Sequence, residues 1–493
     1  MKLRELLSSL INYQTEADLD LEITGIETDS RKVKPGYLFV ALRGFTVDGH
    51  DYIQQARMNG AVAFVTERKI EGQASFIIVP DTKKALAVLA DAIYLRPTSR
   101  LNLIGITGTN GKTTITHLVE KIMNDAGKLT GIIGTIEMRV GQYREEVKNT
   151  TPESLQLQRL FSLMLEHEAS HACIEVSSHA LQMGRVWGCD FKTAIFTNLS
   201  QDHLDYHETM ENYLQAKALL FAQLGSGYQR DNRKIAILNK DDQKYDALYK
   251  VTAAEVITYG IENEADVRAT NIEIGATGTR FTLNTFKGAV SISMKLVGMF
   301  SVYNVLAATA ACLVEGVSLS SIKVSIEAIS GVPGRFEPVL EGQAFAAIVD
   351  YAHTPDSLEN VLKTVREITA GKVYCIVGCG GDRDRGKRPL MAQIAATYAD
   401  TAIYTSDNPR SEDPKRILED MVQGLTDETY QSATYHCILD RKEAIEFAVS
   451  KAKSGDAVLI AGKGHETYQI IKDQVLPFDD KQVVAVAIRK RME

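Results

Sequence analysis

The chain has 493 residues and a formal net charge of -8 with a sequence pI near 5.8. That length excludes a single ordinary core, and that charge gives a surface that as a whole repels nucleic acid and anionic lipid. With 45% hydrophobic and 24% charged residues, disordered and collagen-like chains are excluded as well.

The opening MKLRELLSSL is amphipathic and carries charges inside it, without the long apolar run and small-residue cleavage site of a secretion signal. No later stretch approaches 18 uninterrupted apolar residues. The cysteines at 173, 189, 312, 375, 379 and 437 form no CxxC pair, which points to a reducing compartment. A cytoplasmic, unanchored protein is expected. Residues 1–98 read as a small mixed α/β unit with short strands such as YLFVAL and AVAFVTE, closing at the link LRPTSR.

Residues 99–332 follow one grammar, a short β-branched run that ends in a polar or glycine-rich motif: LNLIGITGTNGKTT, HACIEVSSHA, TAIFTNLSQDH and KIAILNKDD. This predicts a parallel sheet with ligands at the carboxyl ends of its strands. The loop Gly108, Thr109, Asn110, Gly111, Lys112, Thr113, Thr114 stands between such a strand and a helix whose apolar positions are Ile115, Leu118, Val119, Ile122 and Met123, stopped by Gly127. Its backbone N–H groups suit phosphate oxygens, Lys112 supplies a point charge and a Thr hydroxyl suits Mg²⁺. The loop is a variant, because the standard spacing asks for glycine where Ile106 stands. A plain glycine turn is the alternative, and the GKTT continuation argues against it.

Glu175 closes one strand, and His203 and His207 lie beyond another. Four residues apart, the histidines could make a zinc pair on a helix, but HExxH and a nearby thiol are missing, and Mg²⁺ beside a nucleotide is favoured. Ser177, Ser178 and His179 lack the GxSxG elbow of a hydrolase. On its own pattern Lys217, in YLQAKALLF, reads as a lysine snorkelling past core residues. Residues 265–298 alternate polar and apolar, as an antiparallel pair packed on the sheet edge would.

The strand grammar restarts over residues 333–493 with AAIVDYAHTP, VYCIVGCGGDRDRGKRP, TAIYTSDNPR and AVLIAGKGHE, predicting a second parallel α/β unit. By composition GGDRDRGKRP reads as a solvated loop of mixed charge, although its place at a strand end suits function. AGKGHE imitates a phosphate loop without Ser or Thr after the lysine, and Glu466 suggests a cationic partner.

In this order TGTNGKTT, NTTPES, EVSSHAL, TNLSQDHLDYH, QAK, GRFE, DYAHTPDSLE, GCGGDRDRGKRP, DNPRSEDP and AGKGHE resemble the Mur ligase family over essentially the whole chain, and within it the type that adds the third residue of the peptidoglycan stem peptide. The resemblance implies three domains: an N-terminal one for the uridine nucleotide end of the substrate, a central P-loop ATPase-like parallel sheet with a small antiparallel sheet, and a C-terminal Rossmann-like domain for the incoming amino acid. It assigns Ser30, Asn149, Thr150, Thr151, Ser177 and Arg185 to the UDP-substrate, and Gly108 to Thr114 with Asn304, Arg335 and Asp350 to ATP. Lys112, Glu175, His203 and Lys217 become catalytic. Mg²⁺ falls to Thr113, Glu175, His203 and a carbamylated Lys217, which replaces the snorkelling reading of that lysine. The family often has His-Asn where this chain has Phe300-Ser301, so Ser301 is left out of the site.

Amide formation in water needs a leaving group on the acid, so an ATP site beside an acid site implies an acyl phosphate. The resemblance makes the acid UDP-MurNAc-L-Ala-D-Glu and, through the DNPR form, the amine meso-diaminopimelate. Arg410 and Arg383 would grip its distal carboxylate, and Asp407, Asn408 and Glu466 its ammonium end, with Pro409 and Gly462 completing the pocket. Glu412 and Asp413 are expected only to open the following helix. A monomer is expected, with neither nucleic acid nor membrane as partner. L-Lysine as the amine and a folylpolyglutamate synthetase-like reaction are the alternatives.

Overall fold

The computed structural model describes residues 1–44, 47–70, 75–147, 149–227, 233–425 and 433–492. Their strands form three principal sheets that follow one another along the chain. In the first, Gln14–Thr15, Phe76–Ile78, Ala61–Thr66, Tyr37–Val40 and Gly25–Glu27 lie side by side in that order, all pairs parallel except the first. Helix Thr82–Ile93 begins where the Asp81 carboxylate accepts the N–H groups of Lys83 and Lys84. Its residues Ala85, Leu86 and Leu89 then pack on Leu38, Val40, Val65 and Ile77 of the sheet.

Eleven strands make the second sheet. Strand Asn102–Thr107 lies inside it, hydrogen-bonded in parallel to His171–Glu175 on one side and Phe191–Phe196 on the other. Beyond Phe191–Phe196 follow Ile235–Asn239 and Glu255–Gly260, also parallel. The inner strands are buried on both faces and are accordingly rich in Ile, Leu, Val and Ala. One face is covered by helices Lys112–Asp125 and Met299–Val314, the latter studded with Ala307, Ala308, Ala310 and Ala311, small residues that let it lie close. Helices Ser154–Glu166 and Met210–Ala222 cover the other face. Helix Lys112–Asp125 gives way at Ala126, and Gly127 supplies the left-handed φ of 75° that ends it.

The alternating segment is a three-stranded meander rather than a pair: Val267–Gly275, Gly278–Thr285 and Gly288–Met294 pair antiparallel and extend the central sheet through Val267 beside Tyr259. At the opposite edge Met138–Val140 and Tyr143–Glu145 add a hairpin too short for alternation to reveal. The third sheet orders Glu337–Pro338, Ala346–Asp350, Ala457–Ala461, Val373–Val377, Thr401–Tyr404 and Tyr435–Cys437, parallel after the first pair. A separate hairpin, Tyr468–Ile471 with Gln474–Pro477, stands beside its carboxyl edge. No helix among the described residues is long and apolar enough to cross a membrane.

Candidate active site

The carboxyl edges of the second and third sheets meet. From the third unit, Asp356 accepts from Asn110 Nδ2 (2.7 Å), Arg335 Nη2 donates to Thr113 Oγ1 (2.8 Å) and Lys387 Nζ lies 3.4 Å from Asp202 Oδ1. Each contact joins a residue of one motif to a residue of another more than 180 positions away. Burial alone would push the Asp202 carboxyl up, but the Lys387 charge, with the His203 N–H that the carboxylate accepts, helps hold the group below the usual range.

The glycine loop is built as its spacing predicts. Gly108 and Gly111 take φ values of 147° and 89°, and a β-carbon at Gly111 would collide with Asn304 Oδ1. Lys112 curls back, donating to the carbonyls of Gly108 (2.9 Å) and Thr109 (2.8 Å). Its pKa is lowered, chiefly by burial. Beside the loop, Asn110, Gly111, Thr114, Asn304, Arg335 and Asp350 line one cleft of about 310 Å³, so the three adenosine-side residues expected far apart in sequence converge. Burial raises the Asp350 carboxyl to about 6, against the opposing Arg335 charge.

Sequence reasoning missed other walls of this cleft: Phe300, Tyr303, Asp241 and Asp356. Tyr303 donates to Asp241 (2.8 Å), which also accepts the N–H groups of Ile261, Glu262 and Asn263. The polar end of KIAILNKDD carried that signal. Ser301, by contrast, donates to Val297 O just ahead of its helix, buried and turned to the backbone.

Glu175 is 1% exposed. It accepts from Thr113 Oγ1 (3.1 Å), Thr135 Oγ1 (3.0 Å) and Thr135 N (2.9 Å). A buried carboxylate and the threonine hydroxyl of a phosphate loop are hard oxygen donors, and this set fits Mg²⁺. Lys217 is as buried as Glu175, which overturns the snorkelling pattern: its Nζ donates inward to Gly108 O (2.8 Å) and lies 4.2 Å from the Tyr213 ring centre. Burial, reinforced by the Lys112 charge, pushes its pKa well below the lysine range. A lysine whose charged form is disfavoured in this way is the readier nucleophile for CO₂, and the carbamate it would form is a further oxygen ligand.

His203 precedes helix Leu204–His207 with a φ of 57°. Burial holds its imidazole neutral, at about 3. His207 contacts Ser178 Oγ (2.8 Å) instead of pairing with His203. Among the described residues no group of three or more His, Cys, Asp or Glu side chains is placed to hold a metal ion.

Thr151, Ser177 and Arg185 assemble next to Glu175. Thr151 Oγ1 donates to Glu175 O (2.8 Å) and accepts Ser177 N (3.0 Å), and Arg185 Nη1 donates to Thr151 O (3.1 Å). Thr150 Oγ1 is 3.1 Å from Thr135 Oγ1, and Asn149 is exposed at the start of this turn. Arg185 lines a second cleft, of about 220 Å³, with Leu42, Arg43 and Lys83 of the first unit. Ser30 lies apart from that cleft, buried, with its hydroxyl donating to Gln55 Oε1 (2.8 Å).

The amino-acid-side residues gather at the third sheet. Asn408 Nδ2 donates to Glu466 Oε2 (2.8 Å), and Gly462 takes a φ of 115° where a β-carbon would strike Asp407. Arg410, with a φ of 51°, donates from Nη1 to Gly381 O (2.7 Å). A side chain on Gly381 would collide with the carbonyl of Pro409. Burial and the neighbouring Arg383, itself exposed, lower the Arg410 pKa.

Two expectations for this region are corrected. GGDRDRGKRP is solvated only in part: Asp382, Arg383 and Arg385 are exposed, whereas Lys387 and Arg388, which open helix Lys387–Tyr398, are buried. Glu412 does not serve the helix: it accepts from Arg388 (2.8 Å) and Arg385 (3.0 Å), and the Arg388 bonds hold its carboxyl down at about 2. Asp413 alone caps helix Pro414–Val422, accepting from Lys415 N.

Three family models match this chain: "Mur ligase family, catalytic domain" over residues 22–94, "Mur ligase middle domain" over 106–312 and "Mur ligase, glutamate ligase domain" over 334–464. The chain is 56% identical to the UDP-N-acetylmuramoyl-L-alanyl-D-glutamate--2,6-diaminopimelate ligase of Bacillus cereus, covering all of this chain and 99% of the relative. It is 51% identical to the protein of that name from Listeria monocytogenes, with the same coverage. A solved ligase of the same name superposes over the full length of both chains at 34% identity and a TM-score of 0.70. The MurF ligase from Thermotoga maritima in complex with ADP, at 15% identity and a TM-score of 0.64, covers 96% of this chain and 98% of its own and shares the fold. Full-length identity above one half, on top of three matching domains in order, makes this chain a member of the Mur ligase family.

Proposed function

We propose that this chain joins meso-diaminopimelate to UDP-MurNAc-L-Ala-D-Glu at the expense of ATP, in cytoplasmic peptidoglycan precursor synthesis. The observation that carries the reading is the mixed charge of the third-sheet pocket: the Arg410 guanidinium, held by Gly381 O, lies within reach of the charges of Arg383, Asp407 and Glu466. Diaminopimelate carries an ammonium and a carboxylate at both ends and so meets both signs. Lysine lacks the distal carboxylate and would leave a guanidinium unpaired. The relatives named as diaminopimelate ligases support the same choice.

Residues 1–98 would hold the uridine nucleotide, 99–332 ATP and 333–493 the amino acid. The phosphate loop with Asn304, Arg335 and Asp350 would bind ATP, while Ser30, Asn149, Thr150, Thr151, Ser177 and Arg185 would hold the UDP-substrate. Lys112 would neutralise charge as the γ-phosphoryl leaves ADP for the D-glutamyl side-chain carboxylate. The amine nitrogen would then attack the acyl carbon, the carbon–oxygen bond to phosphate would break, and the nitrogen would lose its proton. Mg²⁺, held by Thr113, Glu175, His203 and carbamylated Lys217, would supply neutralisation of phosphate charge. The trans-sheet contacts of Asn110, Thr113 and Asp202 support a closed arrangement that excludes water from the acyl phosphate. A monomer suffices, since every proposed group comes from one chain.

The test is an incubation with ATP, Mg²⁺ and UDP-MurNAc-dipeptide, adding diaminopimelate or lysine and weighing the product. A tripeptide mass with diaminopimelate is expected. Phosphate release without that mass refutes the ligase, and preference for lysine refutes the specificity.

A further inference from the structure

The loop Gly462–Glu466 contributes a residue that neither composition nor motif assigned. Lys463 is 0% exposed, among the largest side chains so enclosed. Its Nζ donates to Asn408 Oδ1 (3.1 Å) and to Glu466 Oε2 (3.0 Å). Asn408 Nδ2 donates to the same Glu466 oxygen (2.8 Å), and Ile470 N donates to the same Asn408 oxygen (2.9 Å). Lysine is rarely enclosed without a carboxylate partner, and the arrangement is closed only because each member satisfies the next. Glu466 Oε1 makes no hydrogen bond among the described residues and is left for a ligand.

We infer that Lys463 is a positioning residue of the amino-acid pocket: its ammonium fixes Asn408 and Glu466 in one geometry, so that the second Glu466 oxygen is offered to the incoming ammonium group. The hairpin Tyr468–Pro477 completes the clamp from the other side. Gln469 Nε2 donates to Asp407 O (2.7 Å), Arg410 N to Ile470 O (3.0 Å) and Lys472 N to Arg410 O (2.7 Å). Asp407 to Arg410 is thus held by backbone contacts outside and by the lysine inside.

Lys463 also opposes the net upward shift of the Glu466 carboxyl. Burial and the Asp407 charge push the Glu466 carboxyl up, and Lys463 with Asn408 pulls it down. Besides His465 on the loop itself, the groups facing this cluster from other elements are Arg410 on the same loop as Asp407, Tyr468 on the hairpin, Tyr351 beyond strand Ala346–Asp350 and Arg441 on helix Arg441–Lys451. None of these four donates a hydrogen bond to Glu466.

The inference rests on the proposed ligase reaction, and the experiment separates the two. Steady-state kinetics of the full chain are measured for wild type, Lys463→Met, Glu466→Gln and the double variant, varying each of the three substrates in turn. Lys463→Met is expected to raise the KM for diaminopimelate about 30-fold while the KM values for ATP and the UDP-substrate hold. The acidic limb of its kcat/KM profile for diaminopimelate should move to higher pH, because Glu466 loses its countercharge. The double variant should be scarcely worse than Glu466→Gln, since the lysine acts through that carboxylate. Equal losses for all three substrates with an unmoved acidic limb, or additive effects in the double variant, would overturn the positioning role. Should Lys463→Met alone fold poorly, the comparison of Glu466→Gln with the double variant, which carries no buried charge at this pair, still decides. Failure of the wild type to form the tripeptide would instead sink the proposed reaction.

Discussion

The ammonium groups of Lys112 and Lys217 share one acceptor, the carbonyl oxygen of Gly108, at 2.9 and 2.8 Å. Desolvation disfavours the charged form of both, and the Lys112 charge disfavours that of Lys217 further. Converting Lys217 to a carbamate would turn that repulsion into attraction. The native pKa of the free lysine lies well below the unfolded value of 10.5, so between the two the unfolded state binds more protons. Stability therefore falls as pH falls through that window until the depressed native pKa is reached. In bicarbonate-free buffer Lys217→Met should melt higher than wild type, by about 2 kcal/mol, with a gap that widens as pH falls. The same substitution should cost about 1,000-fold in ligation, and only wild type should gain activity on adding bicarbonate. Equal melting curves at all pH values would refute the argument.

Arg335 ties the two sheets at the phosphate loop. It donates to Thr113 Oγ1, stacks 4.6 Å from the Tyr351 ring centre and opposes the burial of Asp350. Arg335→Ala should lower kcat/KM for ATP about 100-fold, and Arg335→Lys should recover only part, since an ammonium lacks the fork and the stacking face. Nucleotide titration of both variants checks this, and unchanged ATP affinity in Arg335→Ala would contradict it.

What the residues disclosed in advance, and what they did not, has a physical pattern. The phosphate loop was readable because a strand, two glycines with positive φ and an amphipathic helix are all local requirements. So was the clustering of polar motifs at strand ends, which follows from parallel topology. Lys217 was misread by pattern because a lysine among apolar neighbours such as Tyr213, Leu214, Ala216 and Leu220, all buried, usually reaches out to solvent, and only the tertiary fold shows that its amine points inward. Lys387, Arg388 and Glu412 looked solvated for the opposite reason: their partners, Asp202, Asp420 and Arg388, lie between 24 and 185 positions away. Asp241 and Tyr303 became part of the cleft only when helix Met299–Val314 packed against the sheet. The meander at Val267–Met294 was read correctly as antiparallel but short by one strand, because alternation marks strands and not their number.

Asp350 offers a pH test. Burial raises its carboxyl from 3.8 to about 6. The native protein then holds more protons than the unfolded chain between about 4 and about 6, so this group's contribution favours the fold at low pH and is lost as pH rises through that window. Below about 6 the side chain becomes neutral and stops being an anionic acceptor facing the cleft proposed for ATP. The KM for ATP of wild type should therefore rise as pH is lowered from 7 to 5, about tenfold for the loss of one charged hydrogen bond. Asp350→Asn should start high and stay flat, and should be no less stable than wild type at pH 7, because asparagine can still accept the Phe336 N–H that now reaches Asp350 Oδ2 at 2.6 Å. A parallel rise in both proteins would assign the pH dependence elsewhere.

Arg410 is where substrate choice should reside. Its backbone is fastened to the hairpin through Ile470 and Lys472, and Nη1 is spent on Gly381 O. Nε and Nη2 make no hydrogen bond among the described residues, and the Arg383 charge and burial together disfavour leaving the guanidinium without an anion. A carboxylate that enters meets two converging donors and a depleted solvent shell, the setting in which charge-assisted bonds are strong. Arg410→Ala should reduce kcat/KM for diaminopimelate about 100-fold and leave the poor reaction with lysine nearly as it was, so that discrimination falls by the same factor. Arg410→Lys should keep the charge but lose the fork, and land between the two. Competition between diaminopimelate and lysine at equal concentration, read by product mass, gives the ratio directly. Undiminished preference in Arg410→Ala would move the selectivity to Arg383 and strip Arg410 of its role.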